Sequence, residues 1–270
     1  MAAPRVLVVG ASSGVGKAIA QQFVRSGARV AFSARRAENL TEAIAEVGGG
    51  VAVPGDVRAH DGAEQVVAAA VRELGGIDVL IYATGVSPLS RLRDADRAQW
   101  MQVLETNLVG LHEVVQAALP HLSPGAAVGV LSSDSVGTPR PGLVPYAASK
   151  AALEELVRGW RTEHPEIRFT TITIGPTFPT EFGMSFDPEL MGELFEEWTR
   201  LGIADTSIMD GNELADVIVH TYLTLSAYPG INMEQVVLRP AKSPTSGFDR
   251  EEMFAETQAG AAQKEPGGRA

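Results

Sequence analysis

The chain has 270 residues, 45% hydrophobic and 20% charged, with a net charge of -11 and no cysteine. That length and apolar content suit one α/β domain with a substantial core. The charge argues against nucleic acid or an anionic membrane as partner, and the missing cysteine excludes disulfides and thiolate chemistry.

Met1 to Pro4 runs straight into an apolar segment, without the basic start and long apolar core of a leader peptide. No stretch approaches the ~18 apolar residues of a membrane span. A cytoplasmic protein is the expectation. Arg5 to Val9 reads as a buried strand, followed by Gly10-Ala11-Ser12-Ser13-Gly14-Val15-Gly16 and a helix over Lys17–Ser26. Strand, glycine turn and helix start form a phosphate cradle: bare backbone N–H groups face the anion and the helix dipole favours it. The same letters contain G-x-S-x-G around Ser12, the nucleophile elbow of hydrolases. An elbow follows several earlier strands, whereas this turn follows the first, and none of the five histidines has neighbours that mark a triad base.

Ala28–Ser33 reads as the second strand, left by Ala34-Arg35-Arg36. A site for NAD places an acid here for the ribose hydroxyls; one for NADP uses arginine for the 2′-phosphate. Ala34 stands where the acid would fall. Arg35 and Arg36, with Ser13, are candidate phosphate ligands through charge-assisted bonds. A helix over Glu38–Val47 ends at three glycines, and a third strand, Val51–Val53, leads to Asp56 and Val57. Asp61 is expected to cap a helix reaching Leu74. Ile77–Tyr82 is the fourth strand. A long helix, Arg97–Leu119, carries Asn107 and Gly110, both weak helix formers, which predicts a local kink.

Ala127–Leu131 is the fifth strand and runs into Ser132-Ser133-Asp134-Ser135, where parallel sheets bind ligands. Pro139 to Pro145 reads as a stiff loop. The next helix, Tyr146–Thr162, puts Tyr146 and Lys150 on one face, one turn apart. The lysine charge is expected to lower the tyrosine pKa and tune it for proton transfer. Ile167–Ile174 is the sixth strand, Asn212 is expected to cap a helix to about Leu225, and Gln235–Leu238 is the seventh strand. Strands alternating with helices predict an α/β, Rossmann-type doubly wound fold: a seven-stranded parallel sheet with helices on both faces. Residues 1–240 read as one domain and 241–270 as a polar, mobile tail.

These residues together resemble the short-chain dehydrogenase/reductase family, over roughly Arg5 to Arg239. Gly10, Gly14 and Gly16 match its G-x-x-x-G-x-G turn. Asp56 matches the acid that touches adenine, Asn107 the helix asparagine, and Tyr146 with Lys150 the Tyr-x-x-x-Lys motif. The family serine stands thirteen residues before the tyrosine, at Ser133, with Ser135 an open alternative. The resemblance implies that Ser133 holds the substrate oxygen, Tyr146 exchanges the proton, Lys150 lowers the tyrosine pKa and holds the ribose, and Asn107 anchors a water. It also implies cofactor contacts from Ser12, Val15, Val57, Ala83, Gly85, Asn107, Tyr146, Gly175 and Thr180, no metal, and assembly as a homodimer or homotetramer through the two long helices. Three departures stand out. Val9 replaces the usual threonine, Tyr82-Ala83-Thr84-Gly85 replaces Asn-Asn-Ala-Gly, and Gly175-Pro176 reverses Pro-Gly.

Thr177–Ser207 corresponds to the family's substrate lid. It is rich in Phe and Met, and Leu190–Trp198 repeats as an amphipathic helix would. An apolar lid implies a fairly apolar substrate. The expectation is an NADP(H)-dependent oxidoreductase acting on a carbonyl or secondary alcohol of a small molecule. The alternative is a regulator that binds NADP without chemistry.

Overall fold

The computed structural model describes residues 3–204 and 207–241. The expected tail from residue 242 onward lies outside the described residues. Seven strands form one parallel sheet: β1 (Arg5–Val9), β2 (Arg29–Ala34), β3 (Val51–Pro54), β4 (Ile77–Tyr82), β5 (Leu122–Ser133), β6 (Arg168–Ile174) and, at the edge, β9 (Gln235–Leu238). A separate two-stranded pair, β7 (Thr177–Phe178) and β8 (Met209–Asp210), was not foreseen.

The sheet order is β3-β2-β1-β4-β5-β6-β9. Strands step outward from β1 in one direction, and from β4 the chain builds the other half. This reversal leaves a crevice beyond the carboxyl ends of β1 and β4, where open α/β sheets bind ligands. Register aligns those ends: Val9 lies beside both Ser33 and Tyr82, and Ser133 beside Ile174. The glycine turn, the Ala34–Arg36 loop, Ala83 to Gly85, Ser133 and Gly175 therefore leave the sheet along one rim.

Strands buried on both faces need apolar residues at every position, as in the Val-Leu-Val-Val run of β1. One face is covered by α3 (Gly62–Leu74), α5 (Gly110–Ala118) and α6 (Val144–Glu163), around Leu7, Leu80, Val114 and Phe169. The other is covered by α1 (Gly14–Arg25), α2 (Ala37–Val47) and α8 (Gly211–Ser226), around Val8, Phe23, Ile81 and Ile218.

Several local expectations change. Asp61 sits at the N-cap of α3 but has φ 59, and its side chain makes no capping bond. A cap side chain reaches the helix amides from extended backbone, which Asp61 lacks; its carboxylate meets His60 Nδ1 at 2.8 Å instead. The cap of α8 is Asp210 rather than Asn212: its carboxylate accepts from the amides of Asn212 and Glu213. Helix α6 begins two residues early, with Pro145 in its first turn, where the missing N–H costs nothing. The predicted kink is a five-residue π turn, Glu105–Val109, between α4 (Arg97–Leu104) and α5. Gly110 is required there: a Cβ on it would lie 2.9 Å from both the Tyr82 hydroxyl and Val57.

Candidate active site and cofactor cleft

Helix α6 brings Tyr146 and Lys150 to the sheet rim. Lys150 is 3% exposed. Its Nζ donates to the Leu131 carbonyl at 2.7 Å and lies 5.8 Å from the centre of the Tyr146 ring. Ser133, the last residue of β5, hydrogen-bonds the Tyr146 side chain, and its Oγ accepts from the Ser135 amide at 3.2 Å. Ser135 Oγ is buried with no partner among the described residues, so Ser133 is the serine joined to the tyrosine. Asn107 is fully buried inside the π turn. Its Oδ1 accepts from the Val86 amide at 2.8 Å, and its Nδ2 donates to the Val86 carbonyl at 3.0 Å and to Ser149 Oγ at 2.9 Å. The kink therefore presents the side chain to protein rather than to solvent.

The expected electrostatics reverse. Burial pushes the Tyr146 phenol up to about 12, the Asp134 charge adds to the rise, and the bond to Ser133 opposes it. Burial also lowers the Lys150 ammonium to about 8, against the nearby Glu154 carboxylate. The lysine faces the ring and a backbone carbonyl, and desolvation outweighs the attraction expected from sequence spacing. Asp134 is itself paired with Arg140 at 3.2 Å, both side chains nearly buried.

The glycine turn fits a dinucleotide phosphate. Gly10 has φ +95 and a Cβ on it would lie 2.8 Å from the Thr84 amide; a Cβ on Gly16 would run into the Gly10 carbonyl. Bare backbone at these places lets the turn, β4 and α1 close on one another. Ser12 and Ser13 are half-buried on the turn, and Ser13 occupies the α1 N-cap without using its hydroxyl. Among the described residues no hydrogen bond joins Ser12 to a histidine: the ring nitrogens of His60, His164 and His220 meet Asp61, Glu166 and Asp216, and His112 stacks on Trp160. Val15 and Val57 are buried, Ala83 is half-buried and Gly85 is exposed, where a Cβ would lie 3.4 Å from Lys150 Nζ. Gly175 is tied through its amide to the Leu238 carbonyl at 2.9 Å.

Four further contacts were not foreseen. Both carboxylate oxygens of Asp56 are held by Arg58, at 3.0 and 2.6 Å, and that bond together with the field of Arg35 holds the acid below the usual range. Arg36 pairs with Glu181 at 2.5 Å, while Arg35 is exposed and makes no ion pair among the described residues. Phe182 packs on Tyr146 with ring centroids 4.9 Å apart. Thr180 lies over the glycine turn, its Cα 3.6 Å from where a Cβ on Gly14 would stand. Arg36 and Glu181 are 145 residues apart, and no sequence pattern links positions so distant. Phe182 was visible only as one of several lid aromatics.

Beyond Phe182 the chain forms helix α7 (Pro188–Arg200), capped by Asp187. Leu194 and Trp198 pack with Leu143 of the α6 entry, and Phe182, Phe186 and Leu89 join them. Trp198 Nε1 donates to the Pro141 carbonyl at 2.9 Å and Arg91 pairs with Glu197 at 2.9 Å. No described helix is long and apolar enough to cross a membrane.

The model of the family described as short chain dehydrogenase matches residues 4–190. The chain belongs to the short-chain dehydrogenase/reductase family. The glycine betaine reductase ATRR of Emericella nidulans is 30% identical over 246 residues, 88% of this chain and 19% of that protein. A hydroxysteroid 11-beta-dehydrogenase 1-like protein of Xenopus tropicalis is 38% identical over 170 residues, 60% of this chain and 59% of that one. The chain thus spans about a fifth and about three fifths of these two short-chain dehydrogenase/reductase relatives. An alcohol dehydrogenase from the archaeon Thermococcus sibiricus, solved with 5-hydroxy-NADP, has the same fold: TM-score 0.75, 24% identity, covering 91% of this chain and 100% of that one.

Proposed function

We propose that the protein is an NADP(H)-dependent oxidoreductase that interconverts a carbonyl and a secondary alcohol on a fairly apolar small molecule. The reading is carried by one cluster: Tyr146 bonded to Ser133, with Lys150 beneath its ring, at the sheet rim that also holds the glycine turn. NADPH, when bound, supplies hydride. The chain's own groups handle the oxygen: Ser133 Oγ orients it by hydrogen bonding and the Tyr146 hydroxyl gives it a proton. A phenol raised to about 12 keeps its proton through neutral pH, which suits donation in the direction of reduction. Lys150 stabilises the phenolate left behind and holds the nicotinamide ribose, and Asn107 anchors the water that returns a proton to Lys150.

The cofactor end is read from side chains. Gly10 to Gly16 cradle the diphosphate, with Ser12, Ser13 and Val15 lining it. Asp56 and Val57 meet the adenine, Ala83 and Gly85 the ribose side, and Gly175 and Thr180 the nicotinamide side. The choice of NADP rests on Ala34 in place of an acid and on Arg35 and Arg36 beside it. An apolar substrate is supported by the aromatic and aliphatic cluster against Tyr146. We read residues 1–240 as one cytoplasmic domain with a lid at 177–207, assembled as a homodimer or homotetramer. The α4–α5 segment presents exposed Met101 and Val109 for such a contact. A monomer mass in light scattering at micromolar concentration would count against assembly.

The deciding experiment follows NADPH oxidation against a panel of ketones, aldehydes and quinones, with Tyr146→Phe alongside. Turnover should fall by about 10²-fold or more in the variant, with NADPH affinity unchanged. Tight NADPH binding without turnover on any carbonyl or alcohol, or equal turnover in the variant, overturns the reading.

A further inference from the structure

We propose that Glu181 tunes the cofactor preference of this cleft by competing with the 2′-phosphate of NADP(H) for Arg36. The inference rests on the NADP(H) reading above and adds a residue that opposes it. Arg36 leaves the sheet at the end of β2, where the adenosine ribose of a dinucleotide lies in this fold. Its guanidinium is 2.5 Å from the Glu181 carboxylate, across the cleft, on the segment that follows β7.

The neighbours of Glu181 show that this pair is not an isolated surface contact. Thr180 lies on Gly14, and the Glu181 amide is itself 3.9 Å from where a Cβ on Gly14 would stand. Phe182 lies on Tyr146. Three consecutive residues thus touch the three working parts of the cleft: the phosphate turn, the arginine at the ribose end and the reactive tyrosine. Glu181 reaches the arginine because its neighbours are seated on the other two.

A 2′-phosphate and a carboxylate are both anions that seek the same fork of N–H donors. NADPH must take Arg36 from Glu181 to gain that contact, and Glu181 then stands as a like charge near the phosphate. NADH carries no group at that position and does not contest the arginine. The carboxylate therefore weakens one cofactor selectively. Arg35 is exposed and forms no ion pair among the described residues; it feels Asp56 only through its field, so no carboxylate holds it as Glu181 holds Arg36.

The test titrates the full chain with NADPH and with NADH, following nicotinamide fluorescence, for wild type, Glu181→Gln, Arg36→Gln and the double variant. Glu181→Gln should tighten NADPH by about two- to fivefold at low salt, the scale of one exposed ion pair, and leave NADH unchanged. The gain should shrink at high salt and vanish in the Arg36→Gln background. Equal tightening of both cofactors, no tightening, or a gain that survives loss of Arg36 overturns the proposal. Failure of the NADP(H) reading looks different. Wild type would then bind NADH at least as tightly as NADPH, and Arg35→Asp would weaken both alike. The shift in ratio caused by Glu181→Gln is read wherever the wild-type ratio lies.

Discussion

Phe182 lies against Tyr146, with ring centroids 4.9 Å apart and planes inclined at 58°. Phe186 backs Phe182 at 5.6 Å in an edge-to-face contact, so the aromatic ring lying against the Tyr146 phenol is itself supported. On the proposed function, a substrate carbonyl approaches the hydroxyl past this ring. Phe182→Ala should open that approach and raise kcat/KM for a bulky aryl ketone over a small alkyl ketone by about tenfold, the scale on which apolar pockets discriminate by size. The phenol should also titrate lower in the variant, since burial is the main cause of its rise. An unchanged ratio between the two ketones would show that Phe182 does not shape the substrate site.

Lys150 offers a direct reading of the electrostatics. The chain has four lysines, Lys17, Lys150, Lys242 and Lys264, so lysine-ε-¹³C NMR of the cofactor-free protein gives few signals. The signal absent from Lys150→Met should titrate near pH about 8, where burial places it. The sign for stability follows. Between that value and the unfolded pKa of about 10.4 the unfolded chain binds more protons, so the burial penalty is in full force below pH 8. It is relieved as pH rises. Relative to Lys150→Met, the wild type should therefore gain stability between pH 8 and 10, by at most about 1.4 kcal/mol per pH unit. A flat difference over that range would refute the depressed lysine.

Tyr82 replaces an asparagine that the family usually carries after the fourth strand, and the structure shows what it does instead. Its hydroxyl donates to the Thr106 carbonyl at 2.6 Å, inside the π turn, and bears on Gly110. Burial holds this phenol far above its ordinary pKa, so it remains a donor. Tyr82→Phe leaves a carbonyl buried without that partner and should cost about 1–2 kcal/mol in chemical denaturation. Because the π turn carries Asn107, turnover should fall as well. Unchanged stability would mean that water replaces the hydroxyl.

Regular elements were legible because their signals are local. The Val-Leu-Val-Val run, the glycines and the three-to-four-residue repeats each act within one turn or strand, and strand–helix alternation then leaves a parallel sheet as the economical packing. The kink at Asn107 was legible for the same reason. What holds it was not, since Val86 and Ser149 lie 21 and 42 residues away. The sign of the Tyr146 shift was missed because spacing on a helix reports proximity, whereas burial depends on distant residues such as Phe182 that pack on it. Asp61 failed as a cap because its backbone turned left-handed, a choice no side-chain letter announces. The Arg36–Glu181 pair shows the same division: the arginine near the cleft was visible, but its acidic partner, 145 residues away, was set by the fold.

The amide of Asn107 joins three elements, and Ser149 is the part most readily tested. Ser149 Oγ donates to the Tyr146 carbonyl at 2.7 Å and accepts from Asn107 Nδ2 at 2.9 Å, so it ties the π turn to the helix that carries Tyr146 and Lys150. Ser149→Ala removes the acceptor and leaves an N–H of a fully buried amide unpaired, at a cost of about 1–3 kcal/mol. The Asn107 side chain then has only Val86 to hold it. Amide exchange at Val86, whose N–H donates to Asn107 Oδ1, should accelerate, while NADPH affinity stays near wild type. Turnover should fall several-fold if Asn107 anchors the water of the proposed proton path. Ser149→Thr keeps the hydroxyl and should restore both exchange and turnover. Protection at Val86 and turnover that both survive Ser149→Ala would show that the π turn is held by backbone alone.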